Sequence, residues 1–344
     1  MFYSVIFLIL FAVELVYFRI AKKHNIIDKP NERSSHNYIT VRGGGIVFWV
    51  AMVLCFINQL IFKNLTGFDT LFFIGLTLNS IISFWDDNKP LSAKIRLFIH
   101  FVSISCVFAG LGLFASFHWS IIIGYILVVG ILNAYNFMDG INGITGLYSL
   151  VTAASLLFVN FNIVEFVDNQ FIEFFIISIF VFLFFNFRKH AKCFAGDVGS
   201  VSAAFILTFI ILQLIVKTHN INYLVFFAVY GVDSVLTIIH RLMLHENITK
   251  PHRKHVYQLL ANELKVPHLT VSSIYTGLQL VINAGFIAII KINEQFSFLY
   301  FAAVIILLSM IYIVIKKNIL ANNTENYTNF QDVTQNCKYN ETIQ

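Results

Sequence analysis

Residues 198–216 read VGSVSAAFILTFIILQLIV and contain no charged side chain. As a helix, 19 residues rise about 28 Å, which is close to the thickness of the hydrocarbon core of a bilayer. Similar uncharged runs cover residues 97–115, 119–137 and 298–315, and residues 2–18 contain one charge, Glu14. A soluble protein with fully buried core helices is the alternative, but the recurrence of such runs favours a chain that crosses a membrane repeatedly.

The composition agrees with that interpretation. Of 344 residues, 58% are hydrophobic and 12% are charged, whereas soluble domains carry about 25% charged residues. The four cysteines show no metal-ligand spacing or pairing pattern, which argues against a zinc site or a disulfide framework. The sequence predicts an all-α polytopic membrane protein with about eleven transmembrane helices, at residues 2–19, 44–62, 70–84, 97–115, 119–137, 142–160, 171–187, 199–216, 222–240, 271–290 and 297–315. Because the third segment is short and ends in polar residues, ten helices remain an alternative.

The basic residues lie between the apolar segments and predict the orientation. Of 23 Lys and Arg residues, only Lys63, Lys217 and Lys291 fall on one side, and the other 20 fall on the opposite side. The positive-inside rule places the larger set and the C-terminus in the cytoplasm, and the N-terminus outside. The net charge of +5 is therefore interpreted as a topology signal and not as a sign of nucleic-acid binding. Residues 1–316 are predicted to form a single transmembrane domain, and the polar residues 317–344 a disordered cytoplasmic tail.

Two polar clusters stand where apolar segments end on the cytoplasmic side. Asp86 and Asp87 are adjacent carboxylates, which repel each other unless a cation lies near. They could bind Mg²⁺, activate a substrate that carries a proton, or only cap a helix. Asn133, Asn136 and Asp139 recur every three residues, so they cover an arc of roughly 120° on a helix. Polar groups inside a membrane helix are costly and usually functional, although hydrogen bonding between helices is an alternative.

Glycine-rich turns mark two further cytoplasmic loops. Asp197 lies in the sequence GDVGS (196–200) at the start of a predicted helix. Backbone N–H groups and a hard carboxylate at such a position suit a phosphate and its Mg²⁺, and a plain N-cap is the alternative. In the first loop, Arg33 precedes three glycines at 43–45, which permit close backbone approach to a ligand or to another helix.

The fifth cytoplasmic loop is the longest and is rich in cations. Arg241 precedes it, and His252, Arg253 and His255 lie in the sequence PHRKHVYQ (251–258). This density of basic groups suggests an anion site, and a patch that binds acidic lipids is the alternative. All five polar clusters fall on the same predicted side of the membrane, whereas chance placement would scatter them over both sides.

In this order, the motifs resemble those of the polyprenyl-phosphate N-acetylhexosamine-1-phosphate transferases, glycosyltransferase family 4. The shared pattern consists of Asp-x-Pro-Asn-x-Arg at 28–33, Trp-Asp-Asp at 85–87, Asn-x-x-Asn-x-x-Asp-Gly-x-Asn-Gly at 133–143, Gly-Asp-x-Gly-Ser at 196–200 and the His-rich loop. The resemblance implies that undecaprenyl phosphate attacks the β-phosphate of a UDP-N-acetylhexosamine in the bacterial inner membrane, so that UMP leaves. It also implies Mg²⁺ as cofactor, for which Mn²⁺ can substitute.

The resemblance further implies roles for individual residues. The expected metal ligand is Asp197, with Asp139 as a second candidate. The expected catalytic residues are Asp86, Asp87, Asp139, Asp197, His252 and His255, and the expected substrate-binding residues are Arg33, Asn133, Asn136, Arg241 and Arg253.

The fifth loop departs from the peptidoglycan branch of this family. That branch carries three consecutive histidines, whereas His252 and His255 are separated here by Arg-Lys. The departure favours the O-antigen-initiating enzymes of lipopolysaccharide synthesis and a UDP-N-acetylhexosamine, a 6-deoxy sugar included, over a muramyl-pentapeptide. A homodimer is a further expectation. The competing class is a transporter or flippase for a lipid-linked or anionic substrate, but transporters place polar groups at the membrane midplane and often contain repeats, and the sequence shows neither.

Overall fold

A computed structural model describes residues 1–28, 38–62, 67–115, 119–248 and 252–341, with side chains described as far as Ile319 except at Phe68. The described backbone is almost entirely helical. Its α-helices are α1 (Phe2–Lys23), α2 (Ile46–Phe62), α3 (Gly67–Asn88), α4 (Ala93–Gly110), α5 (Ser120–Met138), α6 (Ile144–Asn162), α7 (Asn169–Asn186), α8 (Gly196–Thr218), α9 (Ala228–Met243), α10 (Val256–Asn262), α11 (His268–Ile292) and α12 (Ser297–Glu341).

The helices follow the predicted segments in order. Within the described residues, nine helical segments are long and apolar enough to span a membrane, and α2 is a shorter apolar helix. The predicted all-α polytopic class is thereby confirmed, while the count of eleven spans stays a prediction. The short helix α10 is an addition within the fifth loop.

Helix α3 continues past its predicted end at residue 84. The side-chain amide of Asn88 donates a hydrogen bond of 2.7 Å to the carbonyl of Phe84, and Pro90 follows, which cannot continue a helix without loss of a backbone hydrogen bond. Asp86 and Asp87 therefore lie in the last turn of a helix and not at the start of a loop. The orientation of both carboxylates is consequently set by the packing of α3.

Helix α8 is the centre of the bundle. Its most apolar window is 89% buried, against 17% for the window in the last helix. A helix that is apolar on every face belongs in the interior, and α8 packs against α2, α3, α5 and α6. Asp197 lies in the first turn of α8, so the predicted metal ligand stands on the most enclosed element.

The first and fourth of the loops predicted to be cytoplasmic are joined by their backbones. A two-stranded antiparallel ladder pairs β1 (Ile27–Asp28) with β2 (Thr40–Val41). Shortly after β2, the backbone N–H of Gly45 donates a hydrogen bond of 3.1 Å to the carbonyl of Ala195. A Cβ on Gly45 would overlap the Cα of Gly199, so glycine is required where α2 meets α8. Of the two uses predicted for the glycines at 43–45, close approach to another helix is the one observed.

The predicted division of the chain at residue 316 stays a prediction. Helix α12 continues to Glu341, so its described backbone shows no break at that boundary. The side chains beyond Ile319 lie outside the described part of the chain. The disorder predicted for residues 317–344 is therefore neither supported nor replaced by a packed domain.

Candidate active site

Five charged side chains from four segments of the chain converge at one end of the bundle. They are Arg42, Asp86, Asp87, Arg96 and Asp197, hereafter the carboxylate–arginine cluster. As many as 155 positions along the chain separate its members. The convergence of separate loops that the sequence pattern predicted is thus present in the fold for the first, second and fourth loops, while their cytoplasmic location stays a prediction.

Asp197 occupies the middle of this cluster. Arg42 Nη2 lies 3.3 Å from its Oδ1, and Arg96 Nη1 lies 3.8 Å from its Oδ2. The side chain of Asp197 is 17% exposed, and that exposed part lines a cleft. A partly exposed carboxylate flanked by two cations is suited to sharing a hard divalent cation with a phosphate, because carboxylates and phosphates are the ligands that Mg²⁺ takes in proteins.

The Asp87 carboxylate is engaged on both oxygens. Its Oδ1 lies 2.7 Å from Arg42 Nε and accepts the backbone N–H of Asp197 at 2.9 Å, and its Oδ2 accepts the N–H of Val198 at 3.0 Å. The side chain is fully buried. Next to it, Gly196 adopts a φ of +70°, and a Cβ there would lie 2.6 Å from Asp87 Oδ2. Glycine at 196 therefore makes room for a carboxylate that meets the start of α8.

The neighbouring carboxylate, Asp86, holds the second arginine. Its Oδ2 lies 2.8 Å from Arg96 Nη1, and its Oδ1 accepts the backbone N–H of Leu91 at 2.6 Å. The Asp86 side chain is 9% exposed. The two adjacent carboxylates therefore do not share one cation, because each is paired with a different arginine.

A cleft of about 190 Å³ opens beside Asp197, between α3, α4, α5 and α8. Its polar lining consists of Ser83, Arg96, His100, Asn133, Asn136 and Asp197, and its apolar lining of Ile82, Ala93, Leu97, Leu132 and Val201. This mixture suits an anionic group attached to an apolar chain, since the lining supplies both a cation and aliphatic side chains.

The predicted asparagine face of α5 lines this cleft. Asn136 Oδ1 accepts a hydrogen bond of 3.1 Å from the Ser200 hydroxyl, which ties α5 to α8. Asn133 Nδ2 donates to the carbonyl of Val129, one turn earlier, at 2.8 Å. Hydrogen bonding between helices and exposure to a cleft, the two alternatives for this motif, are thus both present at Asn136.

Asp139 follows the end of α5. Its Oδ1 accepts a hydrogen bond of 2.7 Å from the Thr145 hydroxyl. Burial raises the pKa of Asp139 to about 7; the hydrogen bond from Thr145 and the charge of Arg42 oppose this rise, and the charge of Asp197 adds to it. Asp139 is therefore close enough to Asp197 to sense its charge, and it is partly protonated near neutral pH.

In the fifth loop, His255 is buried and oriented by Asp233. His255 Nδ1 lies 3.2 Å from Asp233 Oδ1, which also accepts the backbone N–H of Val256 at 3.1 Å. Asp233 Oδ2 accepts a hydrogen bond of 2.6 Å from the Tyr275 hydroxyl. This network anchors the loop to α9 and α11, and it leaves His255 only 2% exposed.

The remaining charges of the loop divide into two groups. Arg241 is buried and donates to the carbonyls of Asn247 at 2.6 Å and Ile248 at 3.1 Å, so it shapes the chain that follows α9. His252 and Arg253 are half-buried. Burial and, to a smaller extent, the neighbouring cations lower the pKa of His252 to about 4, so this imidazole is neutral at physiological pH.

Of the sequence-predicted residues, Asp86, Asp87 and Asp197 meet directly, and Asn133 and Asn136 line the same cleft. His252, His255, Arg241 and Arg253 form a separate group that reaches α5 through the ring of Phe137, whose centroid lies 6.4 Å from that of His252. Arg33 lies outside the described residues. The roles expected for these residues stay predictions.

Sequence reasoning missed three residues of the site. Arg42 and Arg96 were interpreted as topology signals, and His100 was not singled out. The available signal is helical spacing, because Arg96 and His100 are four residues apart on α4 and therefore share a face.

The donor set fits Mg²⁺. Within the described residues, no group of three His, Cys, Asp or Glu side chains is placed to hold a metal ion. Mg²⁺ is usually bound by one or two carboxylates and completes its shell with water and substrate phosphates. Asp197, with Asp139 nearby and the cleft open beside it, provides such a partial set of oxygen ligands.

Known proteins share this chain's sequence pattern. The sequence profile of glycosyl transferase family 4 matches residues 70–215. A probable undecaprenyl-phosphate N-acetylglucosaminyl 1-phosphate transferase of Bacillus subtilis (strain 168) is 26% identical over 258 residues, which cover 70% of this chain and 71% of that protein. The undecaprenyl-phosphate alpha-N-acetylglucosaminyl 1-phosphate transferase of Yersinia pestis is 25% identical over 279 residues, covering 75% and 76%. The enzyme of that name from Escherichia coli (strain K12) is 27% identical over 286 residues, covering 75% of each chain.

The fold and the site together define a polytopic helical membrane protein whose carboxylates and arginines converge at one end of the bundle. The chain is similar to glycosyl transferase family 4 over residues 70–215, and the relatives named above are undecaprenyl-phosphate N-acetylglucosaminyl 1-phosphate transferases. The resemblance drawn from the order of the motifs is thereby confirmed.

Proposed function

We propose that this protein transfers N-acetylhexosamine-1-phosphate from a UDP-sugar to undecaprenyl phosphate, which yields undecaprenyl-diphospho-sugar and UMP. The observation that carries the proposal is the cleft at Asp197, where two arginines flank a partly exposed carboxylate and an apolar wall begins. The names of the relatives support undecaprenyl phosphate as the acceptor and N-acetylglucosamine as the first sugar to test.

The reaction joins polyanions at the edge of an apolar phase, so positive charge and positioning are what it requires. We propose that Asp197 holds Mg²⁺, with Asp139 as the second candidate ligand and Mn²⁺ as a substitute ion. When bound, such an ion would neutralise phosphate charge and polarise the phosphoryl group. Arg42 and Arg96 supply fixed positive charge on either side of Asp197.

The fifth loop is the proposed site of nucleotide-sugar selection. His252 lies beside Phe137 of α5, Arg253 next to it in sequence is half-buried, and an arginine can donate two parallel hydrogen bonds to a phosphate. The His252-Arg-Lys-His255 sequence supports a UDP-N-acetylhexosamine, a 6-deoxy sugar included, and the initiating step of an O-antigen or a related cell-surface polysaccharide.

We further propose that the carboxylate–arginine cluster and the fifth loop face the cytoplasm, with the N-terminus outside and the C-terminus inside. The 20-to-3 distribution of basic residues supports this orientation. Single cysteines at Asn88, Lys192 and Lys254 should resist an impermeant thiol reagent on intact cells and react after the membrane is opened. Labelling of any of them on intact cells would contradict the proposed orientation. A homodimer stays a prediction.

A transporter or flippase is not favoured. Transporters hold their substrates near the membrane midplane between repeats, whereas the carboxylate–arginine cluster lies at helix ends, at one end of this bundle. An enzyme that acts at the membrane surface needs its charges at that position.

The test is a transfer assay with purified protein, undecaprenyl phosphate, Mg²⁺ and a panel of UDP-N-acetylhexosamines, followed by UMP release and lipid mass. We expect one sugar to give stoichiometric UMP and a diphospho-sugar lipid. Asp197→Asn and EDTA should each remove nearly all activity. Glu165→Gln, an exposed carboxylate between α6 and α7, is the matched control and should behave as the parent.

Two results would count against the proposal. Full transfer by Asp197→Asn at normal expression would remove Asp197 from the site. Failure of every UDP-sugar to release UMP with the parent protein would remove the reaction itself.

A further inference from the structure

The adjacent carboxylates Asp86 and Asp87 face different partners, and each anchors a different arginine beside Asp197. We propose that both are positioning residues that fix Asp197, Arg42 and Arg96, and that neither removes a proton from the acceptor or forms a covalent intermediate. The proposal rests on the proposed function and concerns how its site is built.

Both oxygens of the buried Asp87 carboxylate are engaged by hydrogen-bond donors. Its carboxylate receives the Nε of Arg42 and two successive backbone N–H groups at the start of α8, at 2.7, 2.9 and 3.0 Å. The first four N–H groups of a helix have no partner within it, so Asp87 acts as a helix cap supplied from α3. Because one of those N–H groups belongs to Asp197, the cap sets the backbone that carries the proposed metal ligand.

Asp86 is engaged in a similar way. One oxygen accepts the Leu91 N–H at 2.6 Å and the other pairs with Arg96 at 2.8 Å. Neither Asp86 nor Asp87 lines the cleft, whereas Arg96 and Asp197 do. A base or a nucleophile must reach the reacting atom within hydrogen-bond distance, and Arg96 and Asp197, which this pair positions, are the arginine and the carboxylate that line the cleft.

The reaction balances without a base. A phosphate monoester has a second pKa of about 6, so at cytoplasmic pH the acceptor is mostly a dianion with no proton to remove. An acceptor oxygen forms a bond to the β-phosphorus, the bond from that phosphorus to the bridging oxygen breaks, and UMP leaves with the electron pair. The total charge is −4 on each side when UMP leaves as a dianion, roughly as the second pKa of about 6 requires.

Amide hydrogen exchange tests the cap without reference to activity. Asp87→Ala should speed exchange at the N–H groups of Asp197 and Val198 by at least about ten-fold, since a charge-assisted hydrogen bond is lost at each. Asp86→Ala is the matched control, because it removes the adjacent carboxylate while both of these backbone N–H groups keep Asp87 as their acceptor. If the two variants exchange equally at the start of α8, the positioning role of Asp87 is wrong. Asp87→Asn, which keeps the side-chain shape, gives the same comparison if the alanine variant does not fold.

The pH profile of kcat/KM tests the absence of a base. Asp86→Asn and Asp87→Asn should each lower kcat/KM by roughly ten- to a hundred-fold at every pH, with the acid limb of the profile unchanged. With a polyprenyl phosphonate, whose second ionisation occurs at higher pH, the limb of the parent enzyme should move upward with the acceptor. Loss of the limb in either variant would show that the substituted carboxylate is the titrating base and would overturn the proposal.

The proposed function and the positioning role of Asp87 are contradicted by different outcomes. If the parent protein transfers no sugar phosphate, the proposed function is wrong, and hydrogen exchange at the start of α8 still decides whether Asp87 positions Asp197. If transfer occurs but exchange at α8 does not depend on Asp87, the function stands and this inference is wrong.

Discussion

The hydroxyl of Tyr257 donates a hydrogen bond of 2.8 Å to the carbonyl of Phe137, a residue 120 positions earlier. Tyr257 lies on α10 in the fifth loop, and Phe137 lies in the last turn of α5. The ring of Tyr257 also packs so closely that a Cβ on Gly140 would overlap its hydroxyl. This contact holds the fifth loop against the segment that carries Asn136 and Asp139.

Tyr257→Phe should therefore loosen the fifth loop. The lost hydrogen bond leaves a carbonyl without its partner, which we expect to lower the free energy of unfolding by about 1–3 kcal/mol. Thermal unfolding in detergent measures the loss, and steady-state kinetics should show a raised KM for the UDP-sugar. Tyr223→Phe, a buried tyrosine on the 3₁₀ segment before α9, is the control. If Tyr257→Phe and Tyr223→Phe have equal effects, the contact between Tyr257 and Phe137 has no specific role in the site.

The helices of the bundle could be predicted from the sequence because a membrane helix requires a continuous run of apolar residues. An apolar run near 18 residues is long enough to span, and its ends are marked by charge. Residues 198–216 lie in α8, the most buried of the candidate membrane-spanning helices among the described residues. The extent of α3 was not readable, because Asp86 and Asp87 look like a loop until the partners that hold them within the helix are known.

Gly45→Ala should prevent α2 from meeting α8. The added Cβ would overlap the Cα of Gly199. Because that neighbour is a backbone atom, it cannot shift aside as the end of a flexible side chain can. We expect overpacking of at least about 1–3 kcal/mol, seen as a lower thermal midpoint or as loss of folded protein. Gly231→Ala is the control, because nothing lies within 4 Å of a Cβ there. That variant should be as stable as the parent or more so, since alanine favours a helix interior. A normal midpoint for Gly45→Ala would contradict the packing at this crossing.

Stability should depend on pH through Asp139. Its pKa is raised to about 7 in the folded protein, whereas an unfolded aspartate titrates near about 3.9. Between these values the folded state binds more protons, so stability falls as pH rises through that window and levels off above about pH 7. Asp139→Asn removes this titrating group. As the pH is raised from 5 to 8 in EDTA, the thermal midpoint of the variant should therefore rise relative to that of the parent. A constant difference across that range would mean that Asp139 titrates normally.

Arg253→Ala should lower kcat/KM for the UDP-sugar by roughly ten- to a hundred-fold, the effect of one lost charge-assisted hydrogen bond. Arg253→Lys should recover only part of it, because lysine cannot donate two parallel hydrogen bonds. Kinetics in neutral detergent exclude a role in binding acidic lipids. Lys89→Ala, which removes an exposed cation near the same end of the bundle, is the control. Parent-like kinetics for Arg253→Ala, His252→Ala and His255→Ala together would place the loop outside the site.

The members of the site could be collected from the sequence, but their pairing could not. The alternation of loops placed the motifs on one side, and the structure brings Asp197 and Asp87 into contact there. The partners of these carboxylates come from packing: Arg42 reaches Asp87 only because α2 and α8 touch at glycines. Arg42 and Arg96 were read as topology signals because a basic residue after an apolar span has the same appearance whether it faces water or a carboxylate.

Transfer of the β-phosphate from the UDP-sugar to the lipid tests the proposed sugar-1-phosphate transfer directly. Purified protein is supplied with undecaprenyl phosphate, Mg²⁺ and a UDP-N-acetylhexosamine labelled with ³²P in the β-phosphate only. The account predicts that the label moves to the lipid together with the sugar, that unlabelled UMP is released, and that Asp197→Asn abolishes the transfer. Release of labelled UDP with an unlabelled glycolipid, or no labelled lipid with any sugar of the panel, would contradict it.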